Sequence, residues 1–243
     1  MCVVALALNQ NPDWPIVLVG NRDEVHARAA APLHRWDDGS GIVAGRDLVG
    51  GGTWLGVHPE LRRIAVITNI PSDHGPDPAK ASRGALVTAA LTAEPTAPVD
   101  GDAFNSFSLL RLTGAVAHVA TNVPEWRAQP LPPGVHAIAN RPLGVPCPRA
   151  AMLATALRTC DPADEPALLA ILRHGHDQDF VAGTAVAHAF LRNATYGTRC
   201  STLIRVNAAG HGTIWERRFD RYGAPAGDTQ LEFAYDWAGR LTR

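Results

Sequence analysis

An uninterrupted apolar run from Cys2 to Leu8 is long enough for a strand covered on both faces and short for a helix. The turn-rich stretch Asn9-Gln10-Asn11-Pro12-Asp13-Trp14-Pro15 follows, and then a second apolar run, Ile16 to Gly20. The two runs predict a hairpin with a long loop, its second strand running out into Asn21-Arg22-Asp23-Glu24. Further strands are predicted over 42–44 and 53–57, around the glycines Gly50, Gly51 and Gly52, and over 63–68 before Asn69. Ser82 is a fitting N-cap for a helix that runs to Leu91. Residues 107–112 and 116–121 read as a hairpin about Thr113-Gly114, and 136–139 as a short apolar piece. Helical composition marks 149–159 and 164–174, and strands return at 200–206, 213–219 and 230–235. This order predicts an α+β layered fold with mainly antiparallel sheets, and no shift in composition divides residues 1–243 into more than a single domain.

Four of the strand-like runs end in asparagine, at Asn21, Asn69, Asn122 and Asn140. Asparagine terminates strands well, which is one account of the pattern. The other is that some of these amides face a shared site, where uncharged N–H donors suit an oxyanion hole.

Composition narrows the function. The 22 Lys and Arg residues against 23 Asp and Glu give a net charge of -1, which argues against a nucleic-acid or basic membrane-surface partner. No apolar run reaches the ~18–20 residues of a membrane span, and no cationic segment precedes the first apolar run as in a signal peptide. The four cysteines (Cys2, Cys147, Cys160 and Cys200) include no CxxC pair and are too few for a disulfide scaffold. A cytoplasmic protein is the expectation.

Candidate chemistry centres on Cys2. Removal of Met1 puts a thiol and a free α-amine on one residue. The amine's ordinary pKa of ~7.7–8.0 lets it act as a base near neutrality. The apolar strand that follows holds this terminus in place. In the predicted hairpin the end of the second strand returns to the level of Cys2, bringing Arg22 and Asp23 beside it; a solvated charged turn is the plainer reading of that run. The glycine cluster lacks phosphate-loop spacing and reads as a tight turn for close backbone approach. Arg199, just before a strand, suits either a ligand carboxylate or the surface. His174 and His176 lie two apart at a helix end, the wrong spacing for a helical metal pair.

Several motifs occur together in order: Met1-Cys2, Asn21-Arg22-Asp23-Glu24, Gly51-Gly52-Thr53-Trp54-Leu55-Gly56, Thr68-Asn69, Ser82-Arg83-Gly84 and Tyr196-Gly197-Thr198-Arg199. With them the chain resembles the NRDE family, also called the transport and Golgi organisation protein 2 family, over residues 1–220. That resemblance implies the N-terminal nucleophile hydrolase-like fold, a four-layer αββα sandwich of antiparallel sheets between helices. More loosely, the chain is similar to the cysteine branch of those hydrolases, which includes penicillin V acylase and bile salt hydrolase. The implied roles fall on Cys2 as nucleophile, Arg22 and Asp23 beside it, Asn69 and Asn140 at the oxyanion, and Arg199. Asn122 competes with Asn140 for its role, and the adjacency of Arg22 and Asp23 departs from the hydrolases, since neighbours on a strand face opposite ways. The resemblance implies hydrolysis of a small-molecule amide with no cofactor. Its alternative is a carrier of haem or acyl-CoA, as eukaryotic relatives are associated with haem trafficking and lipid handling.

Overall fold

A computed structural model describes residues 2–93, 100–181 and 187–237. Two antiparallel sheets form the framework. The first has six strands in the order β10-β1-β2-β11-β12-β13: β10 is Gly134–Ile138, β1 Val3–Leu8, β2 Ile16–Val25, β11 Tyr196–Val206, β12 His211–Phe219 and β13 Pro225–Ala234. The second has seven strands in sequence order: β3 (Ala30–Arg35), β4 (Val43–Asp47), β5 (Leu55–His58), β6 (Arg63–Asn69), β7 (Phe107–Thr113), β8 (Val116–Thr121) and β9 (Arg127–Leu131).

Side-chain alternation divides the apolar residues into three layers. Val4, Leu6 and Leu8 of β1, with Leu18 and Ile204, meet Val57, Ile64, Val66 and Leu110 of the other sheet in the central core. The intervening residues Val3, Ala5, Val17, Val19 and Leu203 face outward and are covered by α2 (Pro148–Thr159) and α3 (Glu165–Ile171). On the far side Ala65, Ile67 and Leu109 pack under α1 (Gly84–Thr92) through Leu86, Val87 and Leu91. Central strands of both sheets are therefore covered on both faces, which is why β1 and β6 read as continuous apolar runs rather than alternating ones.

As the hairpin reading implied, β2 runs out through Asn21-Arg22-Asp23-Glu24 to Val25, and β11 pairs with it along that length. Arg22 and Asp23 are buried there, at 8% and 3% exposure, so the charged-turn reading is corrected. The edge strands β3 and β9 were not predicted at all.

Candidate active site

The register of the first sheet assembles the site. Val3 pairs with Asn21, so continuing β1 by one residue sets Cys2 beside Arg22, and Arg22 pairs with Cys200 on the other side. All three lie on the face that Val4 and Ile204 turn to the central core. A bulge in β11 between Thr198 and Cys200 inserts Arg199 as an extra residue. The bulge leaves Thr198 opposite Asp23 on the helix-covered face.

Asp23 is fixed from two sides. The Thr198 hydroxyl donates to its Oδ1 at 2.7 Å, and Arg149 of α2 forms an ion pair with Oδ2 at 2.6 Å. Arg149, itself 3% exposed, also donates from Nε to the His188 carbonyl at 2.8 Å and from Nη2 to the Ala189 carbonyl at 2.6 Å. The charge of Asp23 is thus matched within a closed network, as a buried carboxylate requires. Its backbone N–H favours the thiolate form of the neighbouring Cys2.

Cys2 is 6% exposed. Burial raises its thiol pKa and the Asp23 carboxylate adds to the rise, while the Arg22 guanidinium and the Asp23 N–H act against it. Cys2 nonetheless lines a cavity of about 600 Å³, whose wall also includes Arg22, Asp23, Trp54, Asn69 and Arg83. Arg22 pairs with Asp47 at 3.3 Å and Glu24 at 3.7 Å, and Arg28 pairs with the same Asp47 oxygen at 2.7 Å.

The asparagines divide by function. Asn21 donates to the Leu172 and Ala189 carbonyls and accepts from Ser201, so it is a structural tie. Asn122 is equally committed, accepting the Phe107 N–H and donating to Gly101. Asn69 closes β6, half-buried, and its amide has no hydrogen-bond partner among the described residues while it faces the cavity. Asn140 follows β10; the β1–β10 register, extended by two residues, sets it across from Cys2, but it is not part of the cavity wall.

Arg199 stands apart. Its Nη1 donates to the Val25 and Arg28 carbonyls, and the side chain lines a smaller cavity of about 80 Å³ with Cys200 and Glu216. The two cavities share Arg22, Asp47, Thr53 and Trp54. Cys2, Arg22, Asp23 and Asn69 therefore line one cavity, Arg199 lines the adjoining one, and Asn140 stands across from Cys2 in the sheet, outside both linings. No group of His, Cys, Asp and Glu suited to a metal ion occurs among the described residues.

Two residues of the site were not singled out from sequence. Arg149 falls at helical spacing with the buried Leu153 and Leu157, and a cation on an apolar stripe is a signal that a carboxylate waits opposite. Arg83 sits at the start of α1, and the glycine motifs explain its placement. A Cβ on Gly52 would lie 2.5 Å from the Gly84 carbonyl, so only glycine lets the 50–53 turn press against this helix end.

Residues 1–221 match the Transport and Golgi organisation 2 family. The mouse Transport and Golgi organization 2 homolog is 25% identical over 257 aligned positions, covering 89% of this chain and 92% of its own length. Among solved structures, a Caenorhabditis elegans ortholog of N-acylethanolamine-hydrolyzing acid amidase superposes with a TM-score of 0.50, at 12% identity, over 84% of this chain and 92% of that one. At that identity the likeness is one of fold.

Proposed function

The chain belongs to the Transport and Golgi organisation 2 family, and we propose that this protein is a cysteine N-terminal nucleophile hydrolase cleaving an amide C–N bond of a small molecule. Helices on both outer faces of the paired sheets agree with the four-layer αββα order of that hydrolase class. The fold neighbour is named for hydrolysing an N-acylethanolamine, which is an amide, and the proposal takes the same bond class for this chain.

One observation carries the reading: Cys2, Asp23 and Asn69, whose amide has no hydrogen-bond partner among the described residues, line one large cavity. Loss of Met1 frees the α-amine of Cys2. Because burial raises the thiol pKa, the amine takes the thiol proton as the sulfur attacks the substrate carbonyl. The new oxyanion receives the Asn69 N–H. Collapse breaks the C–N bond, and the ammonium returns the proton to the departing amine. Water, deprotonated by the same amine, then hydrolyses the thioester and releases the acid. Asp23 is held by Arg149 and Thr198 and acts by position and charge, not as a proton acceptor. The test is turnover of a panel of N-acyl amides. Cys2→Ala, folded by circular dichroism, is expected to lower kcat by at least about 10³-fold; turnover unaffected by that substitution overturns the reading.

A second reading, a carrier without turnover, is favoured by the upward pressure of burial on the Cys2 thiol. Its acyl-CoA form uses the same cavity. Its haem form lacks the usual nitrogen and thioether ligands: the described wall has no histidine or methionine.

A further inference from the structure

We infer that the ligand of the Cys2 cavity carries an acid group, a carboxylate or a phosphate, and that Arg83 and Lys80 receive it. The inference rests on this cavity being the ligand site, but does not require turnover.

Charge pairing around the cavity leads there. Four cations line it: Arg22, Arg28, Lys80 and Arg83. Asp47 and Glu24 neutralise the first two, and Asp23 is occupied by Arg149. Arg83 and Lys80 make no ion pair among the described residues. Lys80 Nζ donates only to the Phe104 carbonyl at 3.4 Å, and Arg83 Nη1 only to the Ser106 carbonyl at 3.0 Å. That single bond anchors the guanidinium and leaves most of its five N–H donors for a ligand.

Arg83 is half-buried, and burial pulls its pKa below the ordinary arginine value. The group still carries its charge at neutrality. The nearby Glu24 charge is shared with Arg22 and Arg28, so the partly desolvated guanidinium has no ion-pair partner of its own, and a bidentate carboxylate or phosphate offsets the cost of its burial. Arg83 and Cys2 line the same cavity, so an acid group seated on Arg83 shares that space with the nucleophile. Lys80, exposed at the rim, draws an anion inward. The same wall also carries Val49, Trp54, Ile67, Pro76 and Pro78, which suit an apolar body. The occupant is therefore an amphipathic acid rather than a neutral or cationic molecule.

Calorimetric titration of the intact protein tests this with octanoate, octanamide and inorganic phosphate. Octanoate is expected to bind at least about tenfold more tightly than octanamide at low salt, and Arg83→Gln to remove about tenfold of that affinity. Arg83→Lys should restore part of it, and Lys80→Gln should weaken chiefly the salt-sensitive part of binding. Competition between phosphate and octanoate supports a seat for either acid; octanoate that phosphate does not displace assigns the seat to a carboxylate. Equal binding of octanoate and octanamide overturns the inference, as does a folded Arg83→Gln protein that binds octanoate like the wild type. Should Arg83→Gln fail to fold, octanoate binding indifferent to both Lys80→Gln and salt overturns it instead. Octanoate binding retained in Cys2→Ala by a protein that hydrolyses no amide leaves this inference standing and removes the hydrolase reading.

Discussion

Asp23 and Arg149 form a buried pair whose parts are unequal in visibility: the acid lies within a charged tetrapeptide, the base within an apolar helix. Removing the base strands a carboxylate with no access to water. Arg149→Ala is therefore expected to cost ~3–5 kcal/mol in urea unfolding, well above the effect of a surface arginine. Glu216 behaves in the opposite sense. Burial raises its pKa, opposed by the Leu33 N–H, the Arg218 charge and the Cys200 thiol. The folded state thus holds a proton that the unfolded chain releases. The stability this supplies is whole below the ordinary carboxylate range and is lost as pH rises through the elevated pKa. Unfolding free energies measured from pH 4 to pH 8 should fall along this window in the wild type and flatten in Glu216→Gln. A wild-type profile with the same slope as the variant would remove that assignment.

At the scale of elements, legibility followed burial. Strands covered on both faces, such as β1 and β6, are apolar runs that sequence reads directly. The edge strands β3 and β9 carry proline and polar residues, as edges do, and leave no apolar pattern to find. The burial of Arg22 and Asp23 at the end of β2 was hidden for a different reason: their side chains are satisfied by Asp47, Arg149 and Thr198, partners far along the chain. The asparagine pattern was half informative. Asn21 and Asn122 are ties between segments, whereas Asn69 faces the cavity, and terminal position on a strand does not separate the two. The glycine motif proved to be a packing device between the 50–53 turn and α1. Gly52→Ala forces a methyl against the Gly84 carbonyl, and we expect ~1–3 kcal/mol of destabilisation. Because the displaced helix end carries Arg83, octanoate affinity should fall with it, as calorimetry would read.

Across the molecule, two sheets stacked on one core bring the end of β1, the middle of β2 and the end of β6 to a common mouth, although some 67 positions separate Cys2 from Asn69 in the chain. The layered antiparallel order was legible from the succession of strands and helices. The family was legible only from its ordered motifs, and the chain's membership is now shown by the match over residues 1–221. The ion pairs that decide the site's charge were not legible, since Arg83 and Arg149 look like ordinary helix residues until their surroundings are known. Amide hydrolysis here depends on Cys2 acting as a terminal nucleophile. Mass spectrometry of the purified protein, before and after exposure to a β-lactone that acylates nucleophilic cysteines, tests this most directly. We predict a chain beginning at Cys2 and a single acyl adduct on that residue, absent from Cys2→Ala. Complete retention of Met1, with acylation elsewhere or nowhere, would contradict it.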